Sequence, residues 1–534
     1  MAAVWAGWRA PVVAMLVMLV MLVLALPGFF SLPPIDRDEA RFAQSSAQML
    51  ASGDLIDIRL GDEPRYKKPV GIYWLQAAVA GLTGQGESIW AYRLVSLIGA
   101  VASVGLTVGI ARRVMGEGPA LLAGVMLASS FLLGGEARLA KTDAMQLATI
   151  LAAQAVLARA FLPGGRNQRP DLSFGAAMGF WVAVGSGILI KGPITPLVAL
   201  FTVTGLCIHR RDTKILRVLR PVWGLLLVLA MVAPWLIAIT FKSGGAFWAA
   251  SVGQDMLAKV GQGQESHGAP PGTYLALVWA TFWPGSALLV AALPALWHGR
   301  RQPVMAFAFG WIVPVWLMFE LTATKLIHYV LPAYPALAIL VAWGLSQAMP
   351  GRAWRGIGAL VAVAVPGGVL VALWVGAGQI GAQLAPSYLL GAAGLALAAP
   401  LLAIALWRGA VPLQIGALAG AGLALSVALF PTLARIPTLW PAVALADAAT
   451  THPDCRALSV GYEEPSALFL TQGKLRFATP ETLGAELAKP GCVFLAVEAR
   501  AGSGLAVGLT LIGEFSGMNL GNGRKVDLSF YLRP

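Results

Sequence analysis

The chain carries little charge for its length. Only 12% of its 534 residues are charged, whereas a soluble domain has about 25%. Its mean hydropathy is +0.74. So few charged side chains could not cover the surface of a soluble protein of this size, which excludes a purely soluble fold. Most of the length is instead expected to form membrane spans of about 20 residues each.

Cysteine is also scarce, and none of the three residues has the spacing of a zinc motif. Cys207 lies inside an apolar run, where it is expected to pack. Cys455 and Cys492 both lie in the C-terminal region. A disulfide between them is allowed if that region lies outside the cytoplasm, and two separate thiols are the alternative.

Acidic residues are fewer than basic ones, and the net charge is +13. The basic residues lie in short loops between apolar runs and form no basic domain. This distribution argues against nucleic-acid binding and is typical of the positive-inside bias of membrane proteins.

Apolar runs of spanning length recur over residues 1–430. The first run, 12–30, lacks a small-residue cleavage site after it, which favours an uncleaved span over a signal peptide. The sequence thus predicts a mainly α, polytopic membrane protein. We predict about thirteen spans, at residues 10–30, 89–111, 117–135, 144–162, 174–190, 194–208, 221–241, 273–296, 304–322, 327–347, 356–378, 387–407 and 412–430.

Lys and Arg in the short loops fall on one side of the membrane if thirteen spans are counted, and that side is predicted to be cytoplasmic. The opposite, periplasmic side then holds loops 31–88 and 242–272 and the tail 431–534. The expected location is therefore a bacterial inner membrane.

The tail differs from the rest in composition, and we predict that it forms a small soluble α/β domain. Asn522-Gly523 is a hairpin signal, and Thr479-Pro480-Glu481 is a helix-start signal. The strand-like runs are Ala457–Gly461, Leu475–Ala478, Val493–Glu498, Leu509–Phe515 and Val526–Leu532.

Ionisable groups gather on the predicted periplasmic side. Each group has a structural alternative: a solvated helix start for the first motif, snorkelling anchors for the lysine pair, or structural ion pairs. Their recurrence at the ends of separate spans favours a functional site at the membrane surface. The motifs are Asp36-Arg37-Asp38-Glu39-Ala40-Arg41, Lys67-Lys68, Glu136 to Asp143, Lys191-Gly192-Pro193, Glu265 with His267, and Lys325 with His328.

In order and topology these motifs resemble the bacterial aminoarabinose (lipid A) glycosyltransferases, which are of the GT-C class and related to the protein O-mannosyltransferases. The resemblance covers about residues 30–345. It rests on Asp38-Glu39-Ala40-Arg41, Lys68-Pro69 with Tyr73-Trp74-Leu75-Gln76, Arg138 with Asp143, Lys191-Gly192-Pro193, Pro234-Trp235, His267, and Lys325 with Tyr329 to Pro335.

The resemblance implies an inverting transfer of a sugar from a polyprenyl-phosphate donor to lipid A or a related periplasmic acceptor. The sugar would be of the aminoarabinose or galacturonic acid type. Asp38 and Asp143 would be the catalytic carboxylates, with Glu39 beside them. Lys68 would bind the donor phosphate, and the developing phosphate charge makes further candidates of Arg41, Arg138, Lys191 and Lys325.

A divalent metal is implied as well, with His267 as a ligand. The family has a second carboxylate just before the lysine that matches Lys68. This chain has Lys67 there, so the expected metal site loses one ligand.

Two other functions stay open. A protein O-mannosyl-type transferase would use a polypeptide hydroxyl as acceptor. A lipid-linked sugar transporter or flippase would place charges near the bilayer midplane and show inverted repeats. A structural scaffold would have no need for Asp38, Lys68 and Asp143 on one side.

The topology gives a direct prediction. A reporter enzyme that works only outside the cytoplasm is expected to be active when it is fused after Pro534, because an odd number of spans puts the tail there. Activity of a reporter that works only in the cytoplasm, fused at the same place, would contradict the thirteen-span count.

Overall fold

Helices make up most of the chain. The structure is a computed structural model that describes residues 10–162, 171–257, 269–506 and 508–533. Up to residue 434 its helices are α1 (Ala10–Ala25), α2 (Asp38–Ser52), α3 (Gly71–Thr83), α4 (Ile89–Ala111), α5 (Glu117–Ser129), α6 (Phe131–Glu136), α7 (Asp143–Phe161), α8 (Phe174–Lys191), α9 (Ile194–Arg210), α10 (Lys214–Val218), α11 (Pro221–Lys242), α12 (Ala246–Trp248), α13 (Thr273–Thr281), α14 (Gly285–His298), α15 (Pro303–Leu321), α16 (Tyr334–Gln347), α17 (Arg352–Gln379), α18 (Pro386–Arg408) and α19 (Val411–Ala434). A π-helix, Ala249–Leu257, follows α12, and a 3-10 helix, Ile327–Ala333, precedes α16.

The chain is a multi-pass membrane protein. Within the described residues, nine helical segments are long and apolar enough to cross a membrane, and the pair α13 and α14 would make a tenth. Three shorter apolar helices, Pro11–Ala25, Glu117–Ser129 and Ile194–Arg210, lie at the other places where the sequence predicts a span. The polytopic fold is confirmed, and the count of thirteen stays a prediction.

The predicted span 273–296 is not one straight helix. Helices α13 and α14 meet at an angle of 115°. The break falls at Trp283-Pro284, where proline has no N–H to continue the hydrogen-bond ladder.

Small residues let two of the last helices pack closely. A Cβ added to Gly391 in α18 would fall 2.6 Å from the carbonyl oxygen of Ala424 in α19. Such close approach of backbones is the role that small residues have between membrane helices. It explains the Ala/Gly-rich composition of this region.

The C-terminal region forms the predicted elements. Its helices are α20 (Pro441–Thr450), α21 (Pro465–Leu470) and α22 (Pro480–Ala488). Its strands are β3 (Arg456–Val460), β4 (Arg476–Phe477), β5 (Val493–Glu498), β6 (Thr510–Asn519) and β7 (Arg524–Arg533). They form one sheet in the order β4-β3-β5-β7-β6, in which β3 is parallel to β4 and β5, and β7 is antiparallel to β5 and β6.

Local signals in this region act as the sequence indicates. The Thr479 hydroxyl caps α22 by accepting the Thr482 N–H. Gly523 has a φ of 69° in the β6–β7 turn, a conformation that glycine adopts at low cost. A disulfide joins Cys455 and Cys492, whose Cα atoms are 4.5 Å apart. The structure thus decides between the two alternatives for these cysteines.

Loop 31–88 is structured. It contains α2, a short hairpin of β1 (Arg59–Leu60) and β2 (Glu63–Pro64), and then α3. Helix α3 follows Lys67-Lys68, and its Gly71 packs directly against the backbone of Leu189 in α8. The end of the bundle that carries this loop and the C-terminal sheet is called the loop end below.

One buried ion pair fastens loop 31–88 to the bundle. Arg93 of α4 is fully buried and contacts both carboxylate oxygens of Glu39, with Nε–Oε1 at 2.8 Å and Nη2–Oε2 at 3.0 Å. The same guanidinium donates to the carbonyls of Phe29, Leu32 and Pro33. It therefore joins α4 to the chain that enters the loop.

The substitution Arg93→Met should destabilise the fold strongly, by about 3–5 kcal/mol, because it leaves the Glu39 carboxylate buried without a cation. The measurement is unfolding of the purified protein in detergent. The matched control is Lys242→Met, which breaks the partly exposed pair with Asp54 and should cost less than about 1 kcal/mol. Equal losses for the two variants would contradict the anchoring role of Arg93.

Candidate functional site

A polar cavity of about 520 Å³ lies at the loop end. It forms where the start of α2, the α6–α7 junction, the end of α8 and the 3-10 helix before α16 meet the β6–β7 turn. The ionisable residues that line it come from elements far apart in sequence. These residues are Asp36, Arg37, Asp38, Glu39, Arg41, Arg65, Lys67, Lys68, Glu136, Lys141, Asp143, Lys191, Lys325 and His328.

Asp38 is the carboxylate most accessible from this cavity. It is the first residue of α2, and its side chain is 48% exposed and lies 3.9 Å from the Arg41 guanidinium. Burial of the loop opposes ionisation, but the positive charges around it, Lys141 foremost, hold the pKa of Asp38 below its ordinary value. Asp38 is therefore ionised at neutral pH and can accept a hydrogen bond or a proton.

Glu39 borders the cavity, but its carboxylate is buried and fully engaged within the protein. Besides the Arg93 pair, its carboxylate accepts the backbone N–H groups of Ile35 and Ala140, both at 2.9 Å. Its side chain is 1% exposed. This position does not support the predicted catalytic role of Glu39, because its two oxygens already accept four hydrogen bonds. It is an anchor for the residue next to it, Asp38.

A second group of ionisable side chains lies buried in the wall of the cavity. Lys141 Nζ lies 2.9 Å from Glu136 Oε1 and 3.3 Å from His328 Nδ1. Lys191 Nζ lies 2.5 Å from Asp143 Oδ1, and His328 Nε2 lies 3.7 Å from the same oxygen. Each carboxylate is thus paired with a lysine.

Among the described residues, Glu136, Asp143 and His328 could together approach a metal ion, since one ligand atom of each lies within 4.8 Å of the others. The geometry does not fit a resident dication, because the ammonium groups of Lys141 and Lys191 already contact the carboxylate oxygens. We derive no step through a metal. The predicted ligand His267 lies outside the described residues, so the metal expectation stays a prediction.

Most of the predicted phosphate ligands line the cavity, but one of them does not. Lys68, Arg41, Lys191 and Lys325 all line the cavity, as does Lys67. Lys325 is steadied by the carbonyl of Glu320, which accepts from its Nζ at 2.9 Å.

Arg138 does not reach the cavity. It is fully buried, its Nε donates to the carbonyl of Pro27 at 2.9 Å, and its other nitrogens donate to the carbonyls of Leu24 and Gly134. Its guanidinium stacks 4.0 Å from the Phe430 ring centroid. The expectation that Arg138 holds the donor phosphate is therefore not supported. It ties the first span to the rest of the bundle instead.

Five ionisable cavity residues have no individual role in the interpretation of the sequence: Asp36, Arg37, Arg65, Glu136 and Lys141. A signal existed for Glu136 and Lys141, since charges at the end of an apolar run need a partner or a function. His328 is named in the sequence analysis only as part of a motif with Lys325. No sequence feature distinguishes Asp36 or Arg65 from the charged residues next to it.

The sequence comparisons agree with the motifs. Residues 67–237 match the family model of the dolichyl-phosphate-mannose-protein mannosyltransferases. The undecaprenyl phosphate-alpha-4-amino-4-deoxy-L-arabinose arabinosyl transferase of Edwardsiella ictaluri (strain 93-146) is 29% identical over 65% of this chain and 60% of its own length. The enzyme of that name from Pseudomonas aeruginosa (strain LESB58) is 29% identical over 60% of this chain and 58% of its own. The matched part thus spans about six tenths of these relatives.

Solved structures show the fold over nearly the whole chain. The apo crystal structure of ArnT from Cupriavidus metallidurans superposes with a TM-score of 0.77 at 20% identity, covering 97% of both chains. The same protein bound to undecaprenyl phosphate gives 0.76 and covers 96% of this chain and 97% of its own. The archaeal oligosaccharyltransferase AglB from Archaeoglobus fulgidus gives 0.54 at 12% identity, over 92% of this chain and 70% of its own. The resemblance inferred from the motifs and the GT-C type of fold are confirmed.

Proposed function

We propose that this chain is an inner-membrane glycosyltransferase, which moves a sugar from a polyprenyl-phosphate donor to lipid A or a related periplasmic acceptor. The sugar is of the aminoarabinose or galacturonic acid type. The observation that carries the proposal is the cavity at the loop end, where an accessible, ionised Asp38 faces several lysines. The names of the relatives, which use undecaprenyl-phosphate-linked aminoarabinose, support the donor class.

The chemistry needs little more than this arrangement. An acceptor oxygen forms a bond to the anomeric carbon while the bond from that carbon to the phosphate oxygen breaks, and polyprenyl phosphate leaves with the electron pair. Attack from the face opposite the phosphate inverts the configuration. Because a phosphate leaves readily, positioning and charge stabilisation supply most of the rate.

The residues divide between two roles. Lys68, Lys191 and Lys325 lie along the cavity and would stabilise the charge that develops on the leaving phosphate. Asp38 would orient the acceptor and accept its proton where it has one. Asp143 would hold Lys191 in place through their ion pair.

A polypeptide acceptor is the second candidate, and the match of residues 67–237 to the protein mannosyltransferase model favours it. A flippase is less well supported. The charged groups gather around a cavity at one end of the bundle, whereas a transporter places its binding groups near the midplane.

Asp38→Asn and Asp143→Asn should each lower sugar transfer by about 100-fold or more, because the first removes the accessible carboxylate and the second frees Lys191. The measurement is transfer from a polyprenyl-phosphate sugar by purified protein in detergent, with folding checked by size-exclusion chromatography. The matched control, Asp447→Asn on the exposed face of α20, should keep normal activity. Full activity of Asp38→Asn would show that the site is assigned wrongly.

The acceptor is tested in cells. Mass spectrometry of lipid A from strains with and without the gene is expected to show an added pentosamine or hexuronic acid only when the gene is present. Unchanged lipid A, together with a new sugar on periplasmic proteins, would favour the polypeptide acceptor instead.

A further inference from the structure

The C-terminal region is seated on loop 31–88 through helix α21. Phe469 near the end of this helix is 4% exposed and packs edge-to-face on Tyr92 of α4, with ring centroids 5.5 Å apart. It belongs to a buried apolar cluster with Ala43 of α2 and Ala140 of the α6–α7 junction. The helix therefore touches the same elements that the Glu39–Arg93 pair joins.

A polar contact lies beside this apolar one. The Tyr462 hydroxyl donates to Asp36 Oδ2 at 3.2 Å, and the Ser466 hydroxyl donates to Asp36 Oδ1. Tyr462 and Ser466 are fully buried, and Asp36 is 9% exposed. Two hydroxyl groups of the C-terminal region thus hold one carboxyl group of the loop.

Asp36 stands two residues before Asp38 and borders the same cavity. The residue between them, Arg37, has a φ of 69°, a positive value that non-glycine residues seldom adopt. Such a conformation persists only where its surroundings fix it. Here the two sides are fixed separately, by Tyr462 and Ser466 before Arg37 and by the Glu39–Arg93 pair after it.

We propose that Tyr462 and Ser466 are positioning residues for the transfer reaction, which hold Asp36 and thereby set the place of the Asp38 carboxylate in the cavity. The C-terminal region is then a working part of the active site and not only an appendage. This inference rests on the proposed function, since it assigns a role in that reaction.

The contact is also sensitive to pH. Burial, followed by the charge of Glu464, raises the pKa of Asp36 to about 8, although the Tyr462 hydrogen bond and Arg37 act in the opposite direction. Glu464 itself accepts a hydrogen bond from Asn519 at 2.8 Å. These are the ionisable groups that face Asp36 from the loop and from the C-terminal region.

The direction in which pH changes the strength of this contact follows from proton linkage. In a loop detached from the C-terminal region Asp36 would have a pKa near its ordinary value of 3.8, whereas in the attached loop its pKa is about 8. Below the ordinary pKa, Asp36 is protonated whether or not the loop is attached to the C-terminal region, and the attachment is strongest. Between the two pKa values Asp36 loses a proton when the loop detaches, so the attachment weakens steadily as the pH rises. Above about pH 8 it weakens no further.

The first experiment is the double variant Tyr462→Phe with Ser466→Ala in the full-length protein. We expect kcat to fall about tenfold or more while the KM for the donor changes less than about twofold, because a small displacement of a reacting group costs rate more than binding. The matched control is Tyr531→Phe with Ser516→Ala, which makes the same changes in strands β7 and β6 of the C-terminal sheet. A kcat within about twofold of this control would overturn the proposal.

The second experiment uses Asp36→Asn, which keeps the shape and cannot ionise. In the wild type kcat should decline as the pH rises toward about 8 and then level off, and in the variant this decline should be absent. A purely structural contact would not move the pH profile. The same decline in both proteins would overturn the proposal, even if the double variant failed to fold.

The two hypotheses fail in different ways. Wild-type protein that transfers no sugar from any polyprenyl-phosphate donor would refute the proposed function. Active wild-type protein with unaltered kcat and pH profile in these variants would refute only the role of Tyr462 and Ser466.

Discussion

The Glu39–Arg93 ion pair is the interaction on which the loop end depends. A carboxylate and a guanidinium are both buried there, and each would be very costly without the other. Their remaining hydrogen-bonding groups are satisfied by backbone from the end of the first span, from the loop and from the α6–α7 junction. Three separate parts of the chain therefore meet at one point, and Asp38 is carried to the cavity edge as the next residue.

The same rule of charge compensation shapes the cavity. Glu136 and Asp143 lie deep in its wall, and each has a lysine within hydrogen-bonding distance. This pairing keeps two carboxylates stable beside a membrane surface and leaves Asp38 as the accessible one. Lys67 lines the same cavity and adds a further positive side chain to it.

The outcome for individual residues shows how far sequence reasoning reached. Asp38, Asp143, Lys68, Lys191 and Lys325 were predicted from one-sided clustering and the family motifs, and the fold brings them to one cavity. Arg138 and Glu39 carried the same signals, yet both are turned into the protein. A sequence motif places a residue at the end of a span, but the direction of its side chain depends on what packs around it. Arg93 illustrates the converse, since nothing marked it beyond a charge inside an apolar run.

The sequence by itself determined the membrane class, the gathering of ionisable groups at the ends of separate spans and the elements of the C-terminal sheet. These follow from local physics: hydropathy over a span, the cost of charge at the end of a span, and the turn and cap preferences of single residues. Only the tertiary structure decided which charges are buried anchors and which are accessible from the cavity. It also decided that Cys455 pairs with Cys492 and that Tyr462 and Ser466 reach Asp36. Those contacts join residues tens to hundreds of positions apart, and their stability depends on burial and partners that exist only once the chain has packed.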